Sequence, residues 1–270
     1  MREWSYRGRW ALVTGASAGL GEEFARRLAG RGMNLVLAAR REERLERLAG
    51  ELREKYDVSA VALASDLSVA GEGGRLWARA RVGRTIHLLV NNAGFGAQGR
   101  FDEIDLERQT EMVQVDCVAL MELAHHALHD FREMGDGGII NVASLAAFQP
   151  LPRLATYAAA KAFVLSLSEA LWVENRDAGV RVVAVCPGRT PTEFQAVAGT
   201  GSTKGAFGLR SPGAVVEEGI SAFEKGKSYV VPGMENHLAS VLVRLLPRSA
   251  VTRALKGLVQ RRAARAVGEE

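Results

Sequence analysis

The stretch Thr14-Gly15-Ala16-Ser17-Ala18-Gly19-Leu20-Gly21 decides how this chain folds. It follows an apolar run, Trp10–Thr14, and opens an amphipathic one, Glu22–Arg31. A pyrophosphate needs a tight turn, close backbone approach and free N–H groups at a helix N-terminus. Gly15, Gly19 and Gly21 meet the first two needs because they lack a Cβ, and the helix starting at Leu20 meets the third. A glycine triplet alone carries little information; its place between the first strand and the first helix gives it meaning.

Outward from this stretch, short apolar runs alternate with longer helical patterns. Strands are expected at Trp10–Thr14, Asn34–Ala39, Ala60–Ala64, Leu88–Asn91, Ile139–Val142, Val180–Cys186 and Tyr229–Val231. Their nearly unbroken apolar character is that of strands covered on both faces. Helices are expected at Glu22–Arg31, Glu42–Lys55, Leu106–Met134 and Thr156–Ala178. Strand and helix in alternation imply a parallel sheet between two helical layers, within one domain. Residues 195–210, with Gly199, Gly201, Gly205 and Gly208, lack periodicity and read as a loop that shapes a substrate pocket.

Within 270 residues, no apolar run approaches the ~18 residues that span a bilayer. The charged start, Met1 to Arg9, lacks the apolar core of a signal peptide, and Cys117 and Cys186 lie in apolar surroundings as free thiols would. A cytoplasmic protein is the expectation. The net charge of +4 is uneven: Arg244, Arg248, Arg253, Lys256, Arg261, Arg262 and Arg265 are seven bases, and 4 − 7 leaves the remainder at −3. The body is therefore not a nucleic-acid binder by charge, and only the tail is basic. Residues 1–233 form the expected catalytic unit and 234–270 a basic amphipathic helical extension. Its apolar stripes, Leu238, Val241, Leu242, Leu245 and Leu246, then Val251, Leu255, Leu258 and Val259, suit a peripheral membrane contact or a packing surface. His125, His126 and His129 lack a further ligand nearby in sequence, so no metal site is expected.

The second strand ends at Arg40-Arg41, where a dinucleotide fold meets the adenosine ribose. An acid there would accept from a 2′-hydroxyl and repel a 2′-phosphate, whereas the planar fork of Arg40 suits phosphate. NADP(H) is therefore expected over NAD(H).

The spacing Thr-Gly-x-x-x-Gly-x-Gly resembles that of the short-chain dehydrogenase/reductase family, and further matches follow in the family's order. Asn91-Asn92-Ala93-Gly94 closes the fourth strand, Ser144 follows the fifth, Tyr157-x-x-x-Lys161 opens a helix, and Pro187-Gly188 precedes Thr190 and Thr192. The resemblance implies a Rossmann-type, doubly wound α/β domain of about seven strands that transfers hydride between NADP(H) and a carbonyl or secondary alcohol. It implies Tyr157 as acid/base, Ser144 as the group holding the substrate oxygen, and Lys161 as holder of the nicotinamide ribose. It further implies Ser17, Ala18 and Leu20 with the glycines at the pyrophosphate, Asp66 and Leu67 at the adenine, Asn92, Ala93 and Gly94 along the pocket, and Pro187, Gly188, Thr190 and Thr192 at the nicotinamide. Lys161, one turn after Tyr157, would lower its phenol pKa.

One position departs from the pattern. Where the family places an asparagine in a proton relay, this chain has Asp116. A buried carboxylate beside Lys161 would either sustain the relay or trap Lys161 in an ion pair. The apolar Phe95, Leu145–Phe148 and Leu151 segments imply an apolar substrate. A 3-oxoacyl thioester reductase is the alternative among enzymes, the basic tail then suiting an acidic carrier protein. A non-catalytic NADPH-binding protein is the alternative outside enzymes, with Asp116 as its support. The family's habit of pairing through two long helices implies a homodimer or homotetramer.

Overall fold

The structure, a computed structural model, describes residues 3–200 and 208–254. Seven strands form one sheet: β1 (Trp10–Thr14), β2 (Asn34–Ala39), β3 (Ala60–Ala64), β4 (Ile86–Asn91), β5 (Gly137–Val142), β6 (Val180–Val185) and β7 (Tyr229–Val230). Their order is β3-β2-β1-β4-β5-β6-β7, and every neighbouring pair is parallel. The winding reverses between β1 and β4, so a crevice opens beyond the C-terminal ends of these two strands. The glycine stretch leaves β1 there, and Asn91-Asn92-Ala93-Gly94 leaves β4 beside it.

Alternate residues of each strand feed two cores. Ala11, Val13, Leu35 and Leu37 pack under the helices α1 (Gly19–Ala29), α2 (Glu42–Tyr56) and α8 (Pro212–Glu224). Leu12, Val36, Leu89 and Ile139 pack under α3 (Glu72–Ala80), α5 (Leu120–Met134) and the end of α6 (Ala155–Glu174). The start of β5 shows why two glycines belong in a strand that periodicity begins at Ile139. A Cβ on Gly137 would overlap the Phe131 ring on one face, and one on Gly138 the Phe223 ring on the other. Both phenylalanines are fully buried.

The expected helix Leu106–Met134 is not uniform. It runs as α4 (Leu106–Val113), a π-helical turn at Gln114–Ala119, and then α5. The extra residue in such a turn rotates the face that follows, and single π turns recur at functional sites. Here it carries Asp116 and Cys117 into the interior.

Three further elements depart from expectation. Helices α3 and α8 have no counterpart in the pattern reading. Residues 195–198 are not loop but part of α7 (Phe194–Ala198), which ends at the left-handed Gly199. Residues 201–207 lie outside the described ones. In the extension, α9 (Met234–Leu245) is followed by helix over 248–254, and the apolar stripe of α9 faces outward. Asn236 and Ser240 are buried, while Met234, Leu238, Leu242 and Leu245 are exposed. Leu255, Lys256, Leu258, Val259, Arg261, Arg262 and Arg265 lie outside the described residues. Among the described residues, no helix is long and apolar enough to cross a membrane.

Candidate active site

Thr14 and Asn92 build the floor of the crevice. Thr14 Oγ1 donates to the Val90 carbonyl (3.2 Å) and accepts from the Asn92 and Ala93 amides (3.0 Å each). Asn92 Nδ2 returns to the carbonyls of Thr14 (2.9 Å) and Gly15 (3.3 Å). These bonds press the two loops together. Gly15 has φ +64, and a Cβ on it would lie 2.9 Å from Ala93 Cα. A Cβ on Gly21 would overlap the Gly15 carbonyl. Helix α1 begins after Ala18 with no side-chain cap, which leaves the donors of its first turn to a ligand. An uncapped helix start behind a loop without room for Cβ atoms fits a dinucleotide pyrophosphate.

To one side of the crevice is a cleft lined by Arg40, Ala64, Ser65, Asp66, Val69 and Glu72, where the sequence expects the adenosine. Asp66 Oδ1 accepts from the Ser68 amide (3.1 Å) and hydroxyl (2.7 Å), so it closes its own turn while facing this cleft. Arg40 is well exposed and makes one long contact, 3.4 Å to Glu111. Arg41, assigned no separate role from the sequence, is the better seated of the two. Its Nε and Nη2 donate to Ser17 Oγ in the glycine stretch at 3.2 and 3.1 Å.

At the other end, the strand termini of β5 and β6 are tied by Leu145 N donating to the Pro187 carbonyl (2.8 Å). Ser144 closes β5, with its Oγ accepting the Ala146 amide (3.1 Å), and acts on the Tyr157 phenol to lower its pKa. Thr190 is buried, and its carbonyl accepts from Gln195 Nε2 (2.8 Å). Thr192 packs on Gly19 and accepts the Phe194 amide at Oγ1 (3.3 Å). Gly188 lies against the buried Asn236, whose Nδ2 donates to the Gly208 and Pro232 carbonyls at 2.9 Å each. The inward polar residue of α9 thus braces this corner.

Between the two ends sits a fully buried ion pair. Lys161 Nζ donates to Asp116 Oδ1 (3.0 Å) and to the Val142 carbonyl (3.1 Å). Asp116 Oδ2 has no hydrogen-bond partner among the described residues. Burial pushes the Asp116 carboxyl above the ordinary range, by more than the Lys161 ammonium pulls it down. Burial also disfavours the ammonium, but Asp116 and Tyr157 outweigh it and hold Lys161 protonated. Gly94 makes the room: a Cβ there would overlap Asp116 Oδ1 and reach 3.1 Å from Lys161 Nζ.

The expectation for Tyr157 needs correction in sign. Lys161 and Ser144 do act to lower its pKa, but burial and the Asp116 charge leave it above the ordinary phenol value. The phenol is nine-tenths buried, against Phe194 with ring centroids 5.3 Å apart. Phe95, Met112, Ala146, Leu151 and Leu154 complete an apolar wall around it.

The structure brings together Asp116, Ser144, Tyr157 and Lys161, and it gathers Gly15, Ser17, Ala18, Gly19, Leu20, Gly21, Asn92, Ala93 and Gly94 at one crevice. Sequence reasoning missed Arg41, Phe194 and Asn236; the double arginine after β2 was the one available signal. Burial pushes the Cys117 thiol up to about 11 and also raises Cys186, so neither is a poised nucleophile. The reading that His129 has no neighbouring ligands is also corrected. Asp130 and Glu133 each stand 3.8 Å from it, although Asp130 already accepts from Trp77 Nε1 (2.9 Å) and pairs with Arg81 (3.1 Å).

Known proteins resemble this chain in sequence and in fold. Over 234 residues the chain is 32% identical to the 7beta-hydroxysteroid dehydrogenase of Collinsella aerofaciens, covering 85% of this chain and 88% of that one. It is likewise 32% identical over 220 residues to the very-long-chain 3-oxoacyl-CoA reductase of Anas platyrhynchos, covering 79% and 68%. The solved short-chain dehydrogenase from Sphingobium yanoikuyae in complex with NADPH superposes with a TM-score of 0.80 at 32% identity, covering 93% and 95%. Residues 9–202 match the short chain dehydrogenase family, and the chain belongs to it, an oxidoreductase that transfers hydride between NAD(P)(H) and a carbonyl or alcohol.

Proposed function

We propose that the protein reduces the ketone of a bulky apolar substrate with NADPH, through Ser144, Tyr157 and Lys161. The observation that carries this reading is the convergence of those three side chains beside the apolar wall of Phe95, Met112, Ala146, Leu151 and Phe194.

The bound nicotinamide would supply the hydride to the carbonyl carbon. Tyr157 donates its phenolic proton to the oxygen as negative charge develops there. A phenol pKa held above its ordinary value keeps that proton in place at neutral pH, which suits reduction. The Ser144 hydroxyl bonds the same oxygen and fixes its distance from Tyr157. The Lys161 ammonium, charged because Asp116 faces it, favours the phenolate left behind. Direct pairing at 3.0 Å supports a role for Asp116 in positioning Lys161 rather than in relaying protons.

Gly15, Ser17, Ala18, Gly19, Leu20 and Gly21 would hold the pyrophosphate, with Arg40, Arg41 and Ser17 at the 2′-phosphate. Asp66 and Leu67 would border the adenine. Asn92, Ala93, Gly94, Tyr157 and Lys161 would line the ribose and nicotinamide, and Pro187, Gly188, Thr190 and Thr192 the carboxamide. The absence of an acid after β2 and the forks of Arg40 and Arg41 support NADP(H) over NAD(H).

Both curated relatives carry names for bulky apolar carbonyl substrates, steroid and long-chain acyl, and the pocket wall agrees in character. Residues 1–233 form the catalytic unit in this reading. The outward apolar stripe of α9, with Arg244 in its last turn and Arg248 and Arg253 following in the chain, suits peripheral contact with an anionic membrane, which partitioning on anionic liposomes tests. The exposed Val113, Met121, Phe163 and Val173 on the two long helices suit pairing with a second copy, which sedimentation tests. The substrate reading is tested by following NADPH and NADH consumption over steroid, 3-oxoacyl thioester and small alkyl ketones. Faster turnover of a steroid or long-chain ketone with NADPH supports it, and preference for small ketones or for NADH removes it.

A further inference from the structure

The arginines at the adenosine end are already engaged by an acid from the substrate side. Arg41 Nη1 donates to Glu193 Oε2 (2.9 Å), and Arg44 Nη1, one turn along α2, donates to Glu193 Oε1 (2.7 Å). The remaining edge of Arg41 rests on Ser17 Oγ. Two guanidiniums converge on one anion, each through one N–H, with the Ser17 hydroxyl beside Arg41, and such a cationic pair suits a phosphate monoester. Of the other acids at this wall, Glu111 is held mainly by Arg108 (2.7 Å) and reaches Arg40 only at 3.4 Å, Asp66 accepts from Ser68, and Glu72 pairs with Arg75 and Arg79.

Glu193 is the residue before α7. Its predecessor Thr192 packs on Gly19, and its successor Phe194 lies on the Tyr157 ring. The carboxylate therefore ties the adenosine wall to the segment that covers Tyr157. Side-chain exposures of 45%, 40% and 51% for Arg41, Arg44 and Glu193 make the pairs weak and readily exchanged. A phosphate monoester carries more charge than a carboxylate and three acceptor oxygens, so it competes well for the same forks.

We propose that Glu193 stands in for the cofactor 2′-phosphate on Arg41 and Arg44, so that it sets 2′-phosphate discrimination and is displaced, together with α7, when that phosphate binds. The proposal rests on the NADP(H) reading. A cofactor without the 2′-phosphate leaves Glu193 in place and Phe194 over Tyr157. The two side chains flanking Glu193 make this a coupling between the ends of the crevice rather than a surface ion pair alone.

The test is calorimetric titration of adenosine 2′,5′-bisphosphate and of 5′-AMP into the wild type, Glu193→Gln and Glu217→Gln. Glu217 pairs with Arg27 and Arg31 on α1, so its variant controls for the lost charge. The expected result is bisphosphate binding tightened about threefold to tenfold by Glu193→Gln, with 5′-AMP and Glu217→Gln unchanged. Unchanged or weaker bisphosphate binding in Glu193→Gln, in a wild type that prefers the bisphosphate, overturns the proposal and leaves the NADP(H) reading standing. Equal tightening by Glu217→Gln also overturns it. A preference that emerges only in Glu193→Gln supports the competition and removes the native NADP(H) preference, whereas no preference in either protein removes both. Hydrogen exchange across residues 193–198 reads the displacement: it rises with the bisphosphate and not with 5′-AMP, and no rise overturns the release of α7.

Discussion

The glycine crevice and the helix α7 face each other across the site and are held by opposite means. The crevice is fixed by buried hydrogen bonds to backbone, from Thr14 and Asn92, in a space that admits no Cβ at Gly15 or Gly21. Helix α7 is tethered by exposed charge pairs from Glu193, by the ring contact of Phe194 on Tyr157, and by single hydrogen bonds from Gln195 to Thr190 and from Gln98 to Ala198. Buried and geometrically closed bonds lose little to solvent, while exposed pairs are screened and exchange with other ions. The chemistry then belongs to the rigid side, and adjustment to cofactor and substrate belongs to the tethered one.

Four substitutions sharpen or break this contrast. Tyr157→Phe carries the largest effect: loss of the proton donor lowers kcat for ketone reduction about 10²- to 10⁴-fold, with cofactor affinity retained in equilibrium titration. Near-wild-type turnover would assign the proton to another group. Gly21→Ala strikes the rigid side. Its Cβ meets backbone that cannot yield, so it costs about 1–3 kcal/mol in urea unfolding and weakens NADPH binding. A neutral outcome would mean the loops are looser than their hydrogen bonds indicate.

Asp116→Asn tests the buried pair through pH. Because the phenol pKa is raised, reduction, which needs the protonated phenol, stays level across neutral pH, and alcohol oxidation, which needs the phenolate, rises as pH rises. The Asp116 charge contributes to that raised value, so the asparagine variant moves the rise in oxidation to lower pH. Superimposable pH–rate profiles would show that Asp116 acts on neither Tyr157 nor Lys161. Phe194→Ala, on the tethered side, carries the smallest effect: a few-fold rise in KM for a bulky ketone with unchanged cofactor affinity. An effect equal to that of Tyr157→Phe would place Phe194 with the chemistry instead.

The same contrast explains what the sequence could reveal. The central strands were readable because both faces of each are buried, and the glycine stretch because only glycine fits there. Ser144, Tyr157 and Lys161 stood out through their order along the chain. The π turn was not readable, since Gln114–Ala119 continues a helical pattern and differs only in one added residue per turn. Nor was α7: five residues without a side-chain cap show no period, and Glu193 gains its meaning from Arg41 and Arg44, about 150 positions earlier. The sign of the Tyr157 shift was missed for a related reason. A neighbouring lysine is visible in sequence, but the depth of burial that outweighs it is not.

The most direct test of the central claim is hydride transfer itself. NADPH carrying deuterium at the transferred position is incubated with the protein and a steroid or long-chain ketone, and the alcohol product is analysed by mass spectrometry. The account predicts one deuterium at the carbinol carbon in the wild type, and labelled product formed about 10²- to 10⁴-fold more slowly in Tyr157→Phe. Tight NADPH binding with no deuterium delivered to any ketone would contradict it and identify a cofactor-binding protein without turnover.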